Sequence, residues 1–477
     1  MKLISTTVLL AHWTIVVALS LRIIARRLPV PLSLAWLAVV FAVPFVGALA
    51  YLTLGGLQLG GDRLSRLAAA QRAAEPAQCA VLDGPNVGAP PPGTAASLLH
   101  RQARRAFDAP ALRHNRLELL DDWPAVFAQW LDGIEGATEN CRLAFYIWHE
   151  GGRADEIAAA LERARARGVR CRVLLDAYGS GDLLRGRRVR ALRAAGVEVV
   201  GALPPSLLLR ADLRYHRKIL VLDDRVAYTG SQNLADPRFF KQSAGVGQWV
   251  DAVLRIEGPA VSQLAAMFEM DWAMEAGTSF AAPRSWTEAI SPSGDGALVQ
   301  VIPSGPGEPP DALRALFLTA LYSARHRLTL TTPYFVPDDA ILTALTSIAV
   351  AGVVVTLILP ARVDSRLVRY ASAANFDELL SAGVRIALFQ DGLLHTKSLV
   401  VDDAVAAFGS VNVDARSLRL NFEDSIIVYG AEFAAQLGAL QRAYLARSVM
   451  LDGRQWRRRP PARRFLESAV RLLGPLL

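Results

Sequence analysis

Two apolar runs open the chain. Residues 3–24 are almost all apolar, and residues 31–54 are apolar again and carry no charge. A helix crossing a bilayer core needs about 20 apolar residues, and each run supplies that length. Between them lies RIIARRLPVP, a short basic turn with two prolines. The pattern predicts a transmembrane helical hairpin over residues 1–60. A cleaved signal peptide is the rival for the first run, but Arg22, Arg26 and Arg27 follow it where a small-residue cleavage site would stand. Buried core helices are the minor alternative. Positive charge sits in the turn, at Lys2, and again at Arg63, Arg66 and Arg72. Charge bias therefore pulls both ways and assigns no side of the membrane.

Beyond the hairpin the pattern changes. Residues 71–93 are rich in Ala, Pro and Gly and end in APPPG, which predicts a linker or loosely ordered segment over 61–112. Two similar halves follow, 113–285 and 286–477. The first reads RLAFYIW, then ADEIAAALERARARG with helical periodicity, then VRCRVLLD. The second reads RLTLTTPYFV, DDAILTALTSIAVAG and VVVTLILP. Strand, helix, Gly-Val, strand is the pattern of a βαβ unit with a buried parallel sheet. A further strand-like stretch comes next in each half, AGVEVV and AGVRIALF. The expected fold class is α/β: two similar lobes with mixed or parallel sheets flanked by helices, related by a pseudo-twofold.

A polar motif follows at the same place in each half. HRKILVLDDRVAYTGSQN places His216, Lys218, Asp223, Gly230, Ser231 and Asn233; HTKSLVVDDAVAAFGSVN places His395, Lys397, Asp402, Gly409, Ser410 and Asn412. Every gap is equal. A lone His-x-Lys arises by chance in many chains, but two full copies in matching halves do not read as two surface histidines. A carboxylate also recurs after each motif: Asp251 lies seven residues before Gly258, and Glu423 seven before Gly430. His12, His100, His114, His149 and His326 have no such pattern and read as structural or exposed.

A pseudo-twofold would bring His216 and His395 to one cleft. There a neutral imidazole can attack phosphorus, and a second can protonate a leaving alkoxide and then deprotonate an incoming alcohol. Lys218 and Lys397 would supply charge to the phosphate oxygens, and Ser231, Asn233, Ser410 and Asn412 directed hydrogen bonds. Asp251 and Glu423 could each hold a His Nδ1–H; the bland alternative is a solvated strand residue. Asp223 and Asp402 complete the signature and are counted with the His and Lys residues in the catalytic set, but they end apolar strands, so their own part reads as structural, pairing or capping near a turn. With two lysines for the charge work, no metal or other cofactor is expected.

Composition agrees. Lys and Arg total 52 against 44 Asp and Glu, a formal charge of +8, which suits a polyanionic partner, nucleic acid or an anionic bilayer. The mean hydropathy of +0.27 is high for a soluble protein. Three cysteines, Cys79, Cys141 and Cys171, lack metal-site spacing and predict neither disulfides nor zinc.

These residues carry a resemblance. HxKxxxxD followed by GSxN, twice, resembles the phospholipase D superfamily. AYTGSQNLADPRFFKQ, GVGQWVDA, TTPYFVPDD, GLLHTKSLVVDD, GSVNVDARSLRLNFE and the N-terminal AWLAVVFAVPFVGALAYLTLG are similar, more narrowly, to bacterial cardiolipin synthases. The resemblance spans essentially the whole chain. It implies a phosphatidyltransferase that converts two phosphatidylglycerol molecules to cardiolipin and glycerol, with His216 as nucleophile and His395 as general acid and base. It also implies a multi-pass protein of the bacterial inner membrane acting on phosphatidylglycerol and anionic lipid, not nucleic acid. A hydrolase, or a transferase to another alcohol, shares the motif. A lipid-binding protein without catalysis would tolerate loss of a catalytic His or Lys, and both sets are intact. Two membrane contacts beyond the hairpin are expected: the Leu-rich tip of LPPSLLLRADLRYH, with a packed surface loop as its alternative, and the basic amphipathic C-terminus (Phe465, Leu466, Ala469, Leu472, Leu473), with a docked helix as its alternative.

Overall fold

The structure, a computed structural model, describes residues 2–26, 30–43, 45–55, 59–204, 212–284, 296–472 and 474, with side chains from Leu10 in the first helix. It divides into two compact units, residues 1–64 with 205–213, and residues 65–204 with 214–477. Residues 205–211, the tip expected to meet lipid, lie outside the described residues.

In the smaller unit the first apolar run is the helix Lys2–Ala25. The second run is not one helix. It is split into Val30–Ala42 and Val46–Leu54, with Pro44 in the sequence between them. Proline has no N–H to give and clashes with the preceding turn, so an apolar run containing it need not be one continuous helix. Each piece is shorter than the ~20 residues a bilayer core requires. Among the described residues no helix is long and apolar enough to cross a membrane. Val16, Leu19, Ile23, Val40, Ala48 and Tyr51 bury one another in a small core, while Leu10, Val17, Leu21, Ile24, Phe41 and Leu49 are exposed.

The expected linker, residues 61–112, is not loosely ordered. Gly61–Leu82 and Ala95–Phe107 are helices. Thr94 caps the second, its Oγ1 accepting from Ser97 N at 3.1 Å. Its apolar face (Ala96, Leu99, Ala103, Phe107) joins the core of the second half. Composition hid this. Ala-rich sequence favours helix, and most of the Pro and Gly residues that suggested disorder lie between the two helices, at 84–93, with Pro76 inside the first.

One sheet of sixteen strands runs through both halves. In the first half, Asn140–Phe145, Arg170–Asp176 and Glu198–Ala202 pair in parallel. In the second, Arg327–Thr331, Val354–Pro360 and Arg385–Phe389 do the same. These are the expected βαβ units. Their middle strands are buried almost end to end because helices cover both faces. Antiparallel hairpins make the sheet mixed: Ile219–Leu222 with Val226–Gly230, and Ser398–Val401 with Val405–Gly409. Each hairpin carries one copy of the motif. Apart from the edge strand Ser448–Met450 and the short Val87–Gly88, the strand order among the described residues reads as a palindrome about its centre, where Ala111–Leu120 and Ala297–Ser304 pair antiparallel.

Behind the first hairpin sits a buried ionic cluster. Arg142 Nε donates to Glu269 Oε1 at 2.6 Å, Arg172 Nη1 donates to Glu269 Oε2 at 2.7 Å, and Arg142 also pairs with Asp224. Removing one partner from such a cluster strands the others without solvent. Glu269→Ala is expected to lower the unfolding free energy by about 3–5 kcal/mol. Denaturant unfolding followed by tryptophan fluorescence would measure it, and Glu269→Gln should cost less.

Candidate active site

Each motif histidine sits on the segment that enters its hairpin, and each segment is tethered to the opposite half. Tyr215 bridges Phe422 in parallel, and His216 N donates to Phe422 O at 2.8 Å. In mirror fashion Leu393–Leu394 pairs with Trp249–Val250, and His395 N donates to Val250 O at 2.8 Å. The crossing is tight. A Cβ on Gly392, whose φ is +113°, would lie 2.2 Å from Gln248 O. The motif glycines have a similar reason: a Cβ on Gly230 would lie 2.4 Å from Ala252 O, and one on Gly409 2.3 Å from Asp424 O.

The carboxylates cross as well. His216 Nδ1 lies 2.7 Å from Glu423 Oε2, and His395 Nδ1 lies 2.6 Å from Asp251 Oδ1. Each histidine is therefore held by the carboxylate of the other half. Burial works to raise Glu423, but the His216 and Lys218 interactions outweigh it and keep the carboxyl below its ordinary range. Burial against His395 and Lys397 leaves Asp251 lowered in the same way. Charged carboxylates accept hydrogen bonds, so both Nδ1 atoms carry the proton and both Nε2 atoms carry the lone pair.

Burial is the largest influence on the histidines. It pushes His216 down to about 4, against the pull of Glu423. Burial, aided by the Lys397 charge, lowers His395 to about 4. Both rings are neutral near pH 7. Burial lowers Lys218 to about 8, and burial with the Lys218 charge holds Lys397 well below the usual lysine value. Each ammonium donates to the carbonyl of its own histidine, Lys218 at 2.6 Å and Lys397 at 2.7 Å.

The two halves differ at the histidines in one respect. Lys397 Nζ stands 2.9 Å from His395 Nε2. Among the described residues nothing hydrogen-bonds His216 Nε2. They differ also at the residue between His and Lys. Arg217 donates to Glu423 O and Ser304 O and pairs with Asp271, whereas Thr396 meets Val250 O and the Tyr444 hydroxyl.

His216, His395, Asn233 and Asn412 line one cavity of about 310 Å³. Asn233 Oδ1 accepts from Ile147 N at 3.2 Å, which leaves its NH2 group for the cavity. Ser231 and Ser410 do not line it. Ser410 Oγ donates to Glu423 Oε2 at 2.5 Å, and Ser231 Oγ accepts from Ala252 N at 3.1 Å. Both are fully buried. The expectation that they grip phosphate is corrected: they brace the carboxylate strands.

Asp223 and Asp402 lie elsewhere, as their place at the end of apolar strands suggested. Asp223 accepts from the backbone N–H groups of Thr138, Glu139 and Asn140, and Asp402 from those of Arg325, His326 and Arg327. At about 3.3 Å per strand residue, Asp223 is some ~16 Å along the chain from Lys218. Their inclusion in a catalytic set is therefore corrected to a structural role at the far end of the hairpin.

The aromatic walls carried no signal in the motif. Tyr146 lies 4.9 Å from the His216 ring, Trp249 4.5 Å from His395, and Tyr334 also faces His395. Arg214, Lys241 and Arg416 add positive charge to the lining. Tyr146 and Tyr334 follow equivalent first strands of the two βαβ units, and that equivalence was the available clue.

Comparisons with known proteins identify the family. A family model described as "Cardiolipin synthase, PLD-like domain" matches residues 131–272 and 317–442. A second, "Phospholipase_D-nuclease N-terminal", matches residues 10–56. Cardiolipin synthase A of Pectobacterium carotovorum is 41% identical over 99% of both chains, and that of Salmonella arizonae is 42% identical over the same shares. The crystal structure of a phosphatidylserine synthase from Haemophilus influenzae superposes with a TM-score of 0.59 at 16% identity, covering 80% of this chain and all of that one, a likeness of fold. The chain belongs to the cardiolipin synthase family of phospholipase D-like proteins.

Proposed function

We propose that this protein makes cardiolipin from two phosphatidylglycerol molecules through a covalent phosphohistidine. The family supplies the activity. The observation that carries the mechanism is the pair of crossed His–carboxylate contacts at one cavity, with His216 Nε2 unengaged. His216 Nε2 attacks phosphorus, the P–O bond to one glycerol breaks, and His395 gives that alkoxide a proton. His395 then takes a proton from the free hydroxyl of a second phosphatidylglycerol. The resulting oxygen attacks phosphorus, the P–N bond breaks, and His216 is freed.

Lys397 beside His395 Nε2 supports this division of roles: that nitrogen already faces a proton donor, as one that exchanges protons would, whereas His216 Nε2 is unengaged among the described residues. An incoming phosphodiester brings negative charge between the rings. That charge favours an imidazolium on His395, which must donate, against the burial that by itself disfavours one. Lys218, Lys397, Asn233 and Asn412 stabilise the charge developing on the phosphate oxygens. Glu423 and Asp251 orient the histidines. We read the lobes as 113–285 and 286–477, and residues 1–60 as a transmembrane hairpin that holds the cleft at the bacterial inner membrane. The cleft serves phosphatidylglycerol, not nucleic acid.

Purified protein given phosphatidylglycerol is expected to yield cardiolipin and glycerol in equal amounts. Phosphatidic acid alone would mark a hydrolase. Enzyme quenched in denaturant at neutral pH, where a P–N bond survives, should carry the phosphatidyl group of labelled phosphatidylglycerol on His216, and His395→Ala should slow turnover by roughly 10²–10⁴-fold. Label on His395 would reverse the two roles.

The crossing gives a sharper expectation. Glu423→Gln should impair formation of the phosphoenzyme by His216, by up to about 10⁴-fold if tautomer control matches that of other triads. Asp251→Asn should impair the proton transfers of His395. Rapid-quench kinetics of the two half-reactions would separate them, and the opposite pattern would refute the pairing.

The pH dependence follows from burial. Protonating His216 removes the nucleophile, so phosphoenzyme formation should fall as pH drops toward about 4. Deprotonating Lys218 removes charge from the phosphate site, so the rate should also fall as pH rises through about 8. Arginine keeps its charge to higher pH. Lys218→Arg should lower the plateau and lose that alkaline limb; a limb that stays in place would exclude Lys218 as its source.

A further inference from the structure

The C-terminal helix Pro461–Arg471 lies against the second half with its apolar side outward. At about 100° per residue, Ala462, Phe465, Leu466, Ala469 and Leu472 fall within one arc of roughly 120°. Phe465 is 77% exposed, Leu466 44% and Leu472 81%. The side turned inward holds Glu467 and Val470, both buried. An amphipathic helix that merely covered a lobe would bury Phe465 and Leu472 and leave Glu467 in water.

Ionic contacts hold the helix in this orientation. Arg459 Nε donates to Glu467 Oε2 at 2.8 Å, and its Nη2 donates to Asp377 Oδ2 at 2.8 Å. Arg463 Nε donates to Glu467 Oε1 at 3.1 Å. The neighbouring helix Arg366–Ala374 adds exposed Leu367. Together the two helices carry five arginines, Arg366, Arg369, Arg463, Arg464 and Arg471, and one carboxylate, the buried Glu467.

We propose that this face docks on an anionic bilayer surface: Phe465, Leu466 and Leu472 enter the lipid interface and the flanking arginines meet lipid phosphates. Charge selects this occupant over a second copy of the chain. Two copies meeting through the same patch would oppose arginine to arginine, whereas anionic lipid neutralises them. Docking also bears on the cleft. Val470 packs with Val336 and Ala371, and Val368 packs against that cluster. Val336 and Val368 line the active-site cavity. The helix thus braces the wall past which a diacyl lipid would enter. The docking does not rest on the catalytic reading; its effect on turnover does.

The test uses the full chain with Cys79→Ser, since Cys141 and Cys171 are buried. Phe465→Cys and Leu472→Cys, each carrying an environment-sensitive dye, would be reconstituted into vesicles of phosphatidylglycerol and phosphatidylcholine, or phosphatidylcholine alone, containing brominated acyl chains. Quenching by the bromines is expected at both positions in the anionic vesicles. It should be at least about twofold weaker without anionic lipid or at high salt, and absent for Gln455→Cys. Dyes that stay open to aqueous iodide in anionic vesicles would overturn the proposal. So would dyes shielded equally in detergent with cross-linking between copies, which would assign the face to a second protein molecule. Separately, Phe465→Ser/Leu466→Ser/Leu472→Ser should lower the ratio of turnover on vesicles to turnover in mixed micelles by about tenfold. An unchanged ratio, with dye quenching intact, would leave the docking standing and overturn its link to the cleft. A preparation without cardiolipin synthesis in either medium would count against the catalytic reading, not the docking.

Discussion

The whole arrangement depends on two short contacts between halves, His216 to Glu423 and His395 to Asp251. Two carboxylates and two lysines are buried at one place, which is costly unless each finds a partner. The partners of the histidines are supplied crosswise. Separating the halves would take from each histidine its carboxylate and from each carboxylate its histidine, so the site is complete only while both halves are docked. The parallel pairings at Tyr215 and at Leu393–Leu394 serve the same end from the backbone. They fix where each imidazole emerges before any side-chain contact is made.

Much of this was legible in the residues. The repeat of strand, helix, Gly-Val, strand gave both βαβ units, because a short continuous apolar run followed by a helical one and a second such run has few other solutions. The spacing of His, Lys and Asn named the side chains that meet. What could not be read was direction. The recurrence of Asp251 and Glu423 marked them as partners of the histidines, but only the fold shows that each serves the opposite half. Ser231 and Ser410 were misread for the same reason. A serine after a glycine at a strand end can point to ligand or to protein, and here the close approach of Ala252 and Asp424 turns both inward. Residues 61–112 read as a linker because the Pro and Gly residues of 84–93, which join the helices Gly61–Leu82 and Ala95–Phe107, dominate their composition. The second apolar run is continuous in hydropathy but comprises two helices, Val30–Ala42 and Val46–Leu54.

The halves are symmetric in backbone and unequal in chemistry. Arg217 ties its hairpin to Asp271 and to the backbone of Glu423, so the carboxylate that serves His216 is fixed from both ends. Thr396, at the matching position, makes only neutral contacts. A lysine sits on the outer nitrogen of one histidine and not on that of the other. Two nearly identical frames can thus present one nitrogen ready to attack and one ready to exchange protons. Desolvation acts on both alike, and the difference comes from neighbours two residues away or closer.

The central pairing of Ala111–Leu120 with Ala297–Ser304 carries a consequence for ancestry and assembly. Cut there, each half would show a bare strand edge whose natural complement is a strand of the same shape. An isolated half would find that complement in its twin, by an isologous twofold contact. The twin would also bring the missing carboxylate. The modern chain is, in this sense, a dimer made covalent. Being joined in one chain, the two copies are free to differ, as they do in the surroundings of Arg217 and Thr396.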